Sequence, residues 1–359
     1  MYDKKKIIRN VILVLAILVI LIILLTSLGD IKSIFDVLVN KTNYLYVLLG
    51  IFIVLIYALI FQLSLTVLIK KKCKTISFTD SMLISGTEYF FNGITPFSSG
   101  GQPFQAYALK RKNMKLSDST SILLLNFLAY QIVINVFSII CIFIYFTRLK
   151  EQINNLIWLL IIGFSINFIV MIVIILIGVT RFTGNFFIKI MTLLCRIKFL
   201  NKYLEKRKDS FEIYINEMQL AFKEIAKSKA TWLLVIILKA ISLMFYYSIP
   251  FFIYYAIGVD LKISNLFYII AMCSFALTIS VWVPTPGASG GAELAFTTLF
   301  SGLMIGYDDP QNLAMSGMLI WRLLTYYFLM IYGLFNYLLF ERRARYEDRI
   351  IHWSILSKH

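Results

Sequence analysis

Thr95-Pro96-Phe97-Ser98-Ser99-Gly100-Gly101 recurs 190 residues later as Thr285-Pro286-Gly287-Ala288-Ser289-Gly290-Gly291. Five of the seven positions are identical, and each copy interrupts a long apolar region. A Pro/Gly interruption at membrane depth exposes backbone groups that lipid cannot satisfy, so it is tolerated where it is buried in protein or lines a wet cavity. Two interruptions at matching positions in two halves of a chain predict a transporter-type binding site. We expect the hinge and backbone positions of this site to be Pro96, Gly100, Gly101, Pro284, Pro286, Gly290 and Gly291.

The composition predicts an integral membrane protein. Hydrophobic residues make up 60% of the 359 residues, charged residues make up 15%, and the mean hydropathy is +0.81; soluble domains carry about 25% charged residues. The net charge of +16 comes from short Lys/Arg clusters beside apolar runs. That distribution follows the positive-inside rule, so we expect no nucleic-acid partner.

Cysteine and histidine are too sparse for several kinds of chemistry. The four cysteines are far apart in sequence, and the two histidines, His352 and His359, lie in the C-terminal tail. The pattern contains no CxxC pair. We therefore expect no metal, no cofactor and no histidine-based catalytic triad.

The apolar runs predict an all-α protein, a single polytopic membrane domain over 1–359. Runs of about 20 residues match a hydrocarbon core of ~30 Å. The N-terminal run is too long for a signal-peptide core and lacks a cleavage site, so we interpret it as a span. The six predicted spans are Ile7–Leu28, Tyr44–Ile69, Ser121–Phe146, Leu156–Val179, Trp232–Ile257 and Ala314–Phe340. Two further regions, Phe78–Leu109 and Ser264–Met304, are helical hairpins broken by the two motif copies.

The basic loops predict the orientation. Clusters at Lys4–Lys6, Lys70–Lys74, Lys110–Lys112 and Arg342–Arg345 all fall on one side, which places both termini in the cytoplasm. The hairpins over 78–109 and 264–304 then open to opposite faces. The halves 44–146 and 230–340 form an inverted-topology repeat, followed by a cytoplasmic tail over 341–359. Sidedness is the same for re-entrant arms and for short complete spans, so this pattern leaves both open.

The stretch over 180–229 is the one sizeable extramembrane segment. It carries two amphipathic faces, one around Phe186, Phe187, Ile190, Met191, Leu194 and Ile197, the other around Phe211, Ile215, Met218, Phe222 and Ile225. Lys and Arg fill the remainder, which favours interfacial helices on an anionic lipid surface. A solvated linker is the alternative.

Four ionisable residues inside predicted spans or hairpins are candidates for function, because a charge there costs roughly 2.5–3.5 kcal/mol and is usually functional. Arg322 is a candidate phosphate donor, with a purely structural role on buried carbonyls as the alternative. Glu293 is a candidate for binding an amine, or a helix N-terminal carboxylate. Lys239 and Glu88 are further candidates for substrate binding. The alternatives are that Lys239 snorkels to the interface or forms a structural ion pair, and that Glu88 neutralises Lys239 or Arg322.

The turn after the first Gly-Gly pair reads Gln102-Pro103-Phe104-Gln105. The amides of Gln102 and Gln105 can donate to an anion or accept from an amine. Both hairpins have a helix N-terminus at the break, which favours an anion. A phosphate-bearing head group, with or without an amine, fits these residues.

The paired Pro-x-x-x-Gly-Gly breaks, the Gly291-x-Glu293 string and Arg322 resemble the lysylphosphatidylglycerol synthase transmembrane family, the flippase-like domain of the multiple-peptide-resistance factors. The resemblance implies a protein of the bacterial cytoplasmic membrane that moves an aminoacylated or other phosphate-linked lipid between leaflets and contributes to cationic-peptide resistance. Many members carry an acid and an Arg at the positions of Gln102 and Gln105. Bifunctional relatives add a soluble aminoacyl-transferase domain, which we do not expect here because the chain ends 19 residues after Phe340.

The sequence therefore predicts a lipid translocase whose leading cargo is lysyl-phosphatidylglycerol. Two alternatives remain: a phosphatidylglycerol lysyltransferase, and an ion channel or ion-coupled transporter built from the two hairpins. Membrane phospholipid is the expected partner, and homo-oligomer formation is left open.

Overall fold

The computed structural model describes residues 35–153, 157–194, 208–280 and 283–356. These residues form helices and connecting turns, and no strand occurs among them. The helices are α1 (Tyr44–Lys72), α2 (Phe78–Gly93), α3 (Gly101–Arg111), α4 (Leu116–Ile153), α5 (Ile157–Val179), α6 (Arg181–Leu194), α7 (Lys208–Ala226), α8 (Lys229–Ala256), α9 (Leu266–Ser280), α10 (Gly291–Ser301), α11 (Pro310–Arg322) and α12 (Leu329–Leu356). A π-helical segment, Leu323–Phe328, joins α11 to α12.

Six helices in the described part of the chain are long and apolar enough to cross a membrane, which confirms the all-helical membrane class. Five of them correspond to predicted spans, and the sixth is Ile263–Ser280, the first arm of the second hairpin. The predicted span Ile7–Leu28 lies outside the described residues. The longest candidate, Pro310–Glu347, runs through the π-helical segment that follows Arg322.

The two hairpins enter the bundle from opposite ends. α1 and α8 are antiparallel. At one end, the backbone N–H of Asn43, just before α1, donates to the carbonyl of Ala256 at the end of α8 (2.7 Å). At the other end, Lys72 of α1 contacts Glu224 (2.7 Å), which lies in α7 shortly before α8 begins. The first hairpin follows α1 directly, so it opens at the end that carries Lys72. The second follows α8 and opens at the end that carries Ala256.

Contacts at the open side of each hairpin support this arrangement. Lys112, just after α3, lies 3.1 Å from Asp80 in the first turn of α2. At the opposite end, the Asp260 N–H donates to the Tyr307 hydroxyl (2.8 Å), which ties the two sides of the second hairpin together. Each hairpin therefore begins and ends on one side of the bundle.

The α-helices of the hairpin arms are shorter than a typical span, although α9 together with the 3-10 turn before it makes the candidate span Ile263–Ser280. α2 and α3 contain 16 and 11 residues, and α9 and α10 contain 15 and 11. At 1.5 Å per residue these arms are ~16–24 Å long, against a hydrocarbon core of ~30 Å. Arms that turn back inside the membrane remain a prediction.

The amphipathic segment divides into two helices with different surroundings. The apolar face of α7 packs against α4 and α5, and Met218, Phe222 and Ile225 are buried there. This face is therefore part of the protein core and not a lipid-facing surface. α6 differs, because Phe182, Phe186 and Leu193 stay exposed. The interpretation as an interfacial helix applies to α6 alone.

An aromatic stack holds α10 against its neighbours. The Phe296 ring centroid lies 4.2 Å from that of Phe300 and 4.6 Å from that of Trp321 in α11. Tyr254 in α8 stacks on Phe300 at 5.0 Å and donates a hydrogen bond to the Ala314 carbonyl. Stacked aromatic pairs add about 0.5–1.5 kcal/mol beyond their buried area, so the second hairpin is fixed to α8 and α11.

Candidate functional site

The two motif copies meet where the tips of the hairpins contact each other. Pro96 and Pro286 pair in an isolated antiparallel β-bridge. Each proline begins a turn of the same shape. The left-handed φ angles are at Phe97 (54°) and Ser98 (49°) in the first turn, and at Gly287 (61°) and Ala288 (53°) in the second. Two successive positive φ values are typical of a type I′ turn. The repeated sequence therefore forms a repeated structure.

The hydrogen bonds inside the two turns also correspond. The backbone N–H of Ser99 donates to the Pro96 carbonyl (3.3 Å), and that of Ser289 donates to the Pro286 carbonyl (3.2 Å). The hydroxyl of each of these serines donates to the same carbonyl at 2.9 Å. The shared Ser thus closes both turns, which explains why it occurs in both copies of the motif.

The helix starts after the turns are capped in different ways. In the first tip, the Gly100 and Gly101 N–H groups donate to the side-chain oxygens of Thr95 and Asn92, both at 2.8 Å. In the second tip, the Gly290 N–H donates to Glu293 Oε2 at 2.6 Å. The sequence predicted that the N–H groups at the breaks would face an anion. In the structure, side-chain oxygens of the protein accept hydrogen bonds from these three N–H groups.

Arg322 and Glu293 form a buried ion pair. Arg322 Nε lies 2.8 Å from Glu293 Oε1, and the two side chains are 6% and 3% exposed. The N–H direction departs from hydrogen-bond alignment, so this contact is mainly electrostatic. The Arg322 Nη1 group donates to the Gly287 carbonyl (3.1 Å) and Nη2 lies 3.5 Å from that of Ala288. Arg322 therefore fixes the second turn to α11.

Tyr326 joins the two hairpin tips. It lies in the π-helical segment directly after Arg322 and donates to the Gly93 carbonyl at the end of α2 (2.9 Å). Its ring fills the space beside Gly287, where a Cβ atom would collide with it. π-helical segments recur at functional sites. Here Arg322, at the end of α11, contacts one tip, and Tyr326, inside the π-helical segment, contacts both.

Glu88 is held by amides on the first hairpin. Its carboxylate accepts from Asn92 Nδ2 (3.4 Å) and Gln105 Nε2 (3.3 Å), and Gln105 Nε2 also lies 3.1 Å from the Ser85 carbonyl. The Gln105 side chain is fully buried. Gln105 therefore orients Glu88 through its amide nitrogen, whereas its amide oxygen has no hydrogen-bond partner among the described residues.

Lys239 is the most isolated charge among the described residues of the bundle. Its side chain is 0% exposed, and Nζ has no hydrogen-bond partner in the described part of the chain. The ammonium group lies 3.2 Å from the centroid of the Phe61 ring. A cation–π contact offsets part of the desolvation cost, but it leaves the three N–H donors of the ammonium unused.

One cavity of about 440 Å³ connects these groups. Four predicted binding residues, Glu88, Gln102, Lys239 and Arg322, line it, together with both turns at Ser98–Ser99 and Gly287–Ala288. Gln105 and Glu293 lie behind this wall, where they hold Glu88 and Arg322 respectively. The cavity thus brings both signs of charge and both motif copies together.

Sequence reasoning missed a further polar part of the wall. The residues involved are Asn126, Tyr130, Gln131, Asn167, Tyr246, Thr278 and Thr325. Each lies inside an apolar run, and buried amides and hydroxyls in a span are the signal that could have identified them. Gln131 Oε1 has no hydrogen-bond partner among the described residues.

The predicted hinge positions are all at the tips, but they differ in how tightly they are packed. A Cβ on Gly100 would lie 2.7 Å from the Phe91 carbonyl oxygen, and one on Gly101 would lie 2.7 Å from Asn92 Oδ1. Gly291 packs directly against Val283. Gly290 has open space around it and is constrained instead by its φ of 90°. Pro284 is exposed.

No group of three or more metal-ligating side chains occurs among the residues that the structure describes. The cavity chemistry is that of hydrogen bonds and buried charges. Such a site can bind a polar group that carries charges of both signs, surrounded by the rings of Tyr57, Phe61 and Tyr130.

The family described as "Lysylphosphatidylglycerol synthase TM region" matches residues 11–333. The chain therefore belongs to the lysylphosphatidylglycerol synthase transmembrane family, a family of multi-pass membrane proteins. No curated protein matches the chain.

Proposed function

We propose that this protein is a lipid translocase that moves a phosphate-bearing phospholipid, with lysyl-phosphatidylglycerol as the leading cargo, across the bacterial cytoplasmic membrane. The observation that carries this proposal is the cavity between two hairpin tips that enter from opposite ends of the bundle. Broken helices that meet at a polar cavity near mid-membrane are the usual architecture of transporter binding sites.

The charges in the cavity fit a head group with a phosphate and an amine. Lys239 and the N–H groups of Arg322 are donors for the phosphate, and Glu88 is an acceptor for the ammonium group. Gln102 adds an amide at the first tip. A volume of about 440 Å³ falls in the usual range for small-ligand sites. The acyl chains would stay in the surrounding lipid.

The orientation of the protein is part of the proposal. The open end of the first hairpin, with Lys72, Lys112 and Arg343, faces the cytoplasm, together with both termini. α6 lies on the anionic surface of that leaflet through Phe182 and Phe186. The two halves then exchange access to the cavity by movement of the hairpin tips.

A leaflet-exchange assay tests this function. The purified protein is reconstituted into liposomes with fluorescent lysyl-phosphatidylglycerol or phosphatidylglycerol, and dithionite bleaches the outer-leaflet dye. We expect lysyl-phosphatidylglycerol to reach the outer leaflet faster than in protein-free vesicles and in vesicles with the heat-denatured protein. An unchanged rate contradicts the translocase proposal.

The same preparation tests the two alternatives. Transfer of lysine from lysyl-tRNA to phosphatidylglycerol would identify a lysyltransferase, because the family description names a synthase. Ion flux without lipid movement would identify a channel. We expect neither activity.

A further inference from the structure

Two pairs of opposite charges lie in the cavity wall or directly behind it, and they differ in how their members are engaged. Arg322 and Glu293 contact each other directly. Glu88 is instead hydrogen-bonded by Asn92 and Gln105, and the Lys239 ammonium has no hydrogen-bond partner in the described residues. The second pair therefore balances charge across the cavity without a direct contact, which leaves both members accessible to a ligand.

Charge balance decides what happens when a phospholipid enters. With Lys239 protonated and Glu88 ionised, these two groups together with Arg322 and Glu293 sum to a net charge of zero. A phosphodiester that binds Lys239 adds one negative charge to the cavity. The positive charge of Lys239 then balances the phosphate and no longer balances Glu88. An unpaired buried carboxylate is costly, typically by several kcal/mol. Glu88 must then gain a positive partner or a proton.

We infer that the site recognises head-group charge through an exchange of partners: the lipid phosphate binds Lys239, and Glu88 takes either an ammonium group of the same head group or a proton from water. An anionic phospholipid thus binds with one proton, as a carboxylate oxygen of Glu88 forms an O–H bond. An aminoacylated phospholipid supplies its own ammonium and binds without that proton. This inference rests on the proposed function, since it concerns the lipids that the cavity accepts.

The tyrosines and the arginine near Glu88 do not offer an alternative. Those facing the cavity come from α1 (Tyr57), α2 (Tyr89), α4 (Tyr130), α8 (Tyr246 and Tyr247) and the segment from Arg322 to Tyr326. Phenols ordinarily titrate near pH 10, and Arg stays protonated. Tyr332 of α12 accepts a hydrogen bond from Gln62 (2.9 Å). Lys239 is the other cavity group whose protonation can change, and the variant Glu88→Gln distinguishes proton uptake at Glu88 from proton uptake at Lys239.

Calorimetry measures the proton count directly. The purified protein is titrated with dioctanoyl-phosphatidylglycerol and with dioctanoyl-lysyl-phosphatidylglycerol in two buffers that differ in ionisation enthalpy and contain neither phosphate nor a primary amine. We expect uptake of about one proton for phosphatidylglycerol and about none for the lysyl lipid. Glu88→Gln should abolish the difference, whereas Glu217→Gln, at an exposed glutamate beside Lys115, should preserve it. Equal proton counts for both lipids in the wild-type protein overturn the inference, as does a difference that survives Glu88→Gln.

A pH series on the wild-type protein needs no variant. Between about pH 5.5 and 7, below the usual titration of an α-amino group, affinity for phosphatidylglycerol should fall by up to about tenfold per pH unit, and that for the lysyl lipid should stay constant. Parallel profiles overturn the inference.

The failure of this inference and the failure of the proposed function give different results. Lipid movement with equal proton counts contradicts this inference but agrees with the translocase proposal. The predicted proton difference without lipid movement supports it and contradicts the translocase. If neither lipid binds, both proposals fail.

Discussion

Pro96 and Pro286 face each other in a β-bridge at the centre of the bundle, although 190 residues separate them in the sequence. The bridge joins the tips of two hairpins that enter from opposite ends, and the cavity lies beside it. A movement of one tip therefore has to be accommodated by the other, which couples the two ends of the protein.

The Arg322–Glu293 pair is expected to stabilise the second tip. Glu293→Gln and Arg322→Met should each lower the free energy of unfolding by about 3–5 kcal/mol, because each leaves one buried charge without its partner. The double variant should lose less than the sum of the two. Equilibrium unfolding in detergent measures these values.

The exposed pair Lys115–Glu217 is the matched control for this cycle. Its side chains are 70% and 43% exposed, and exposed pairs contribute 0–1 kcal/mol. Additive effects of the two changes at Arg322 and Glu293 would contradict a direct interaction between them.

Backbone conformation at the second tip gives a different prediction. Gly290→Ala should destabilise the protein by about 1–3 kcal/mol because a φ of 90° strains any residue with a Cβ, even though no atom lies within 4 Å of that position. Ala288→Gly, two residues earlier at a φ of 53°, should be neutral or stabilising. The same unfolding assay compares them, and equal effects of both changes would argue against backbone strain.

Because the two hairpins open at opposite ends of the bundle, cysteines placed at their open ends should be labelled from opposite sides of the membrane. Lys110 and Asp308 are both exposed, one beyond each end of the bundle. In a cysteine-free background, Asp308→Cys should react with a membrane-impermeant maleimide in intact cells, and Lys110→Cys should react after the membrane is permeabilised. Labelling of both from one side would contradict the opposite entry of the hairpins.

The two glutamates should differ in lipid selectivity. Glu88 lines the cavity, whereas both carboxylate oxygens of Glu293 are occupied by Arg322 and the Gly290 N–H. Glu88→Gln should therefore slow movement of lysyl-phosphatidylglycerol at least tenfold more than that of phosphatidylglycerol, as expected for loss of a charge-assisted contact worth a few kcal/mol. Glu293→Gln should slow both lipids equally. Leaflet exchange of the two lipids measures the ratio, and a selective effect at Glu293 would reverse the assignment.

Much of the fold was predictable because spans and breaks are local properties of the sequence. Apolar runs such as Tyr44–Ile69 identify spans from composition, and the repeated Pro and Gly-Gly residues identify both breaks. Ile263–Ser280 was predicted as a hairpin arm, and its length and hydropathy also match a full span. Composition does not distinguish these two possibilities, because both need an apolar helix of similar length.

The sequence does not predict which buried side chains contact each other, because those contacts depend on how the helices pack. Arg322 and Glu293 were assigned to separate parts of a ligand, but they contact each other across 29 residues of sequence. Asn126 and Asn167 lie in apolar runs, and no sequence pattern shows which face of a span points to the cavity. The face of α7 around Phe222 likewise matches a lipid surface and a protein core equally well.

We propose that lipid movement requires the two tips to separate, so a disulfide across the bridge between Pro96 and Pro286 should block it. Residues opposite each other in such a pair have Cβ atoms about 4.5–5.5 Å apart, close to what a disulfide requires. In a cysteine-free background, Pro96→Cys/Pro286→Cys should cross-link on oxidation, and the two single variants are the controls. We expect oxidation to stop leaflet exchange of lysyl-phosphatidylglycerol and a reductant to restore it. Exchange at an unchanged rate in the fully cross-linked protein would show that the tips do not need to separate.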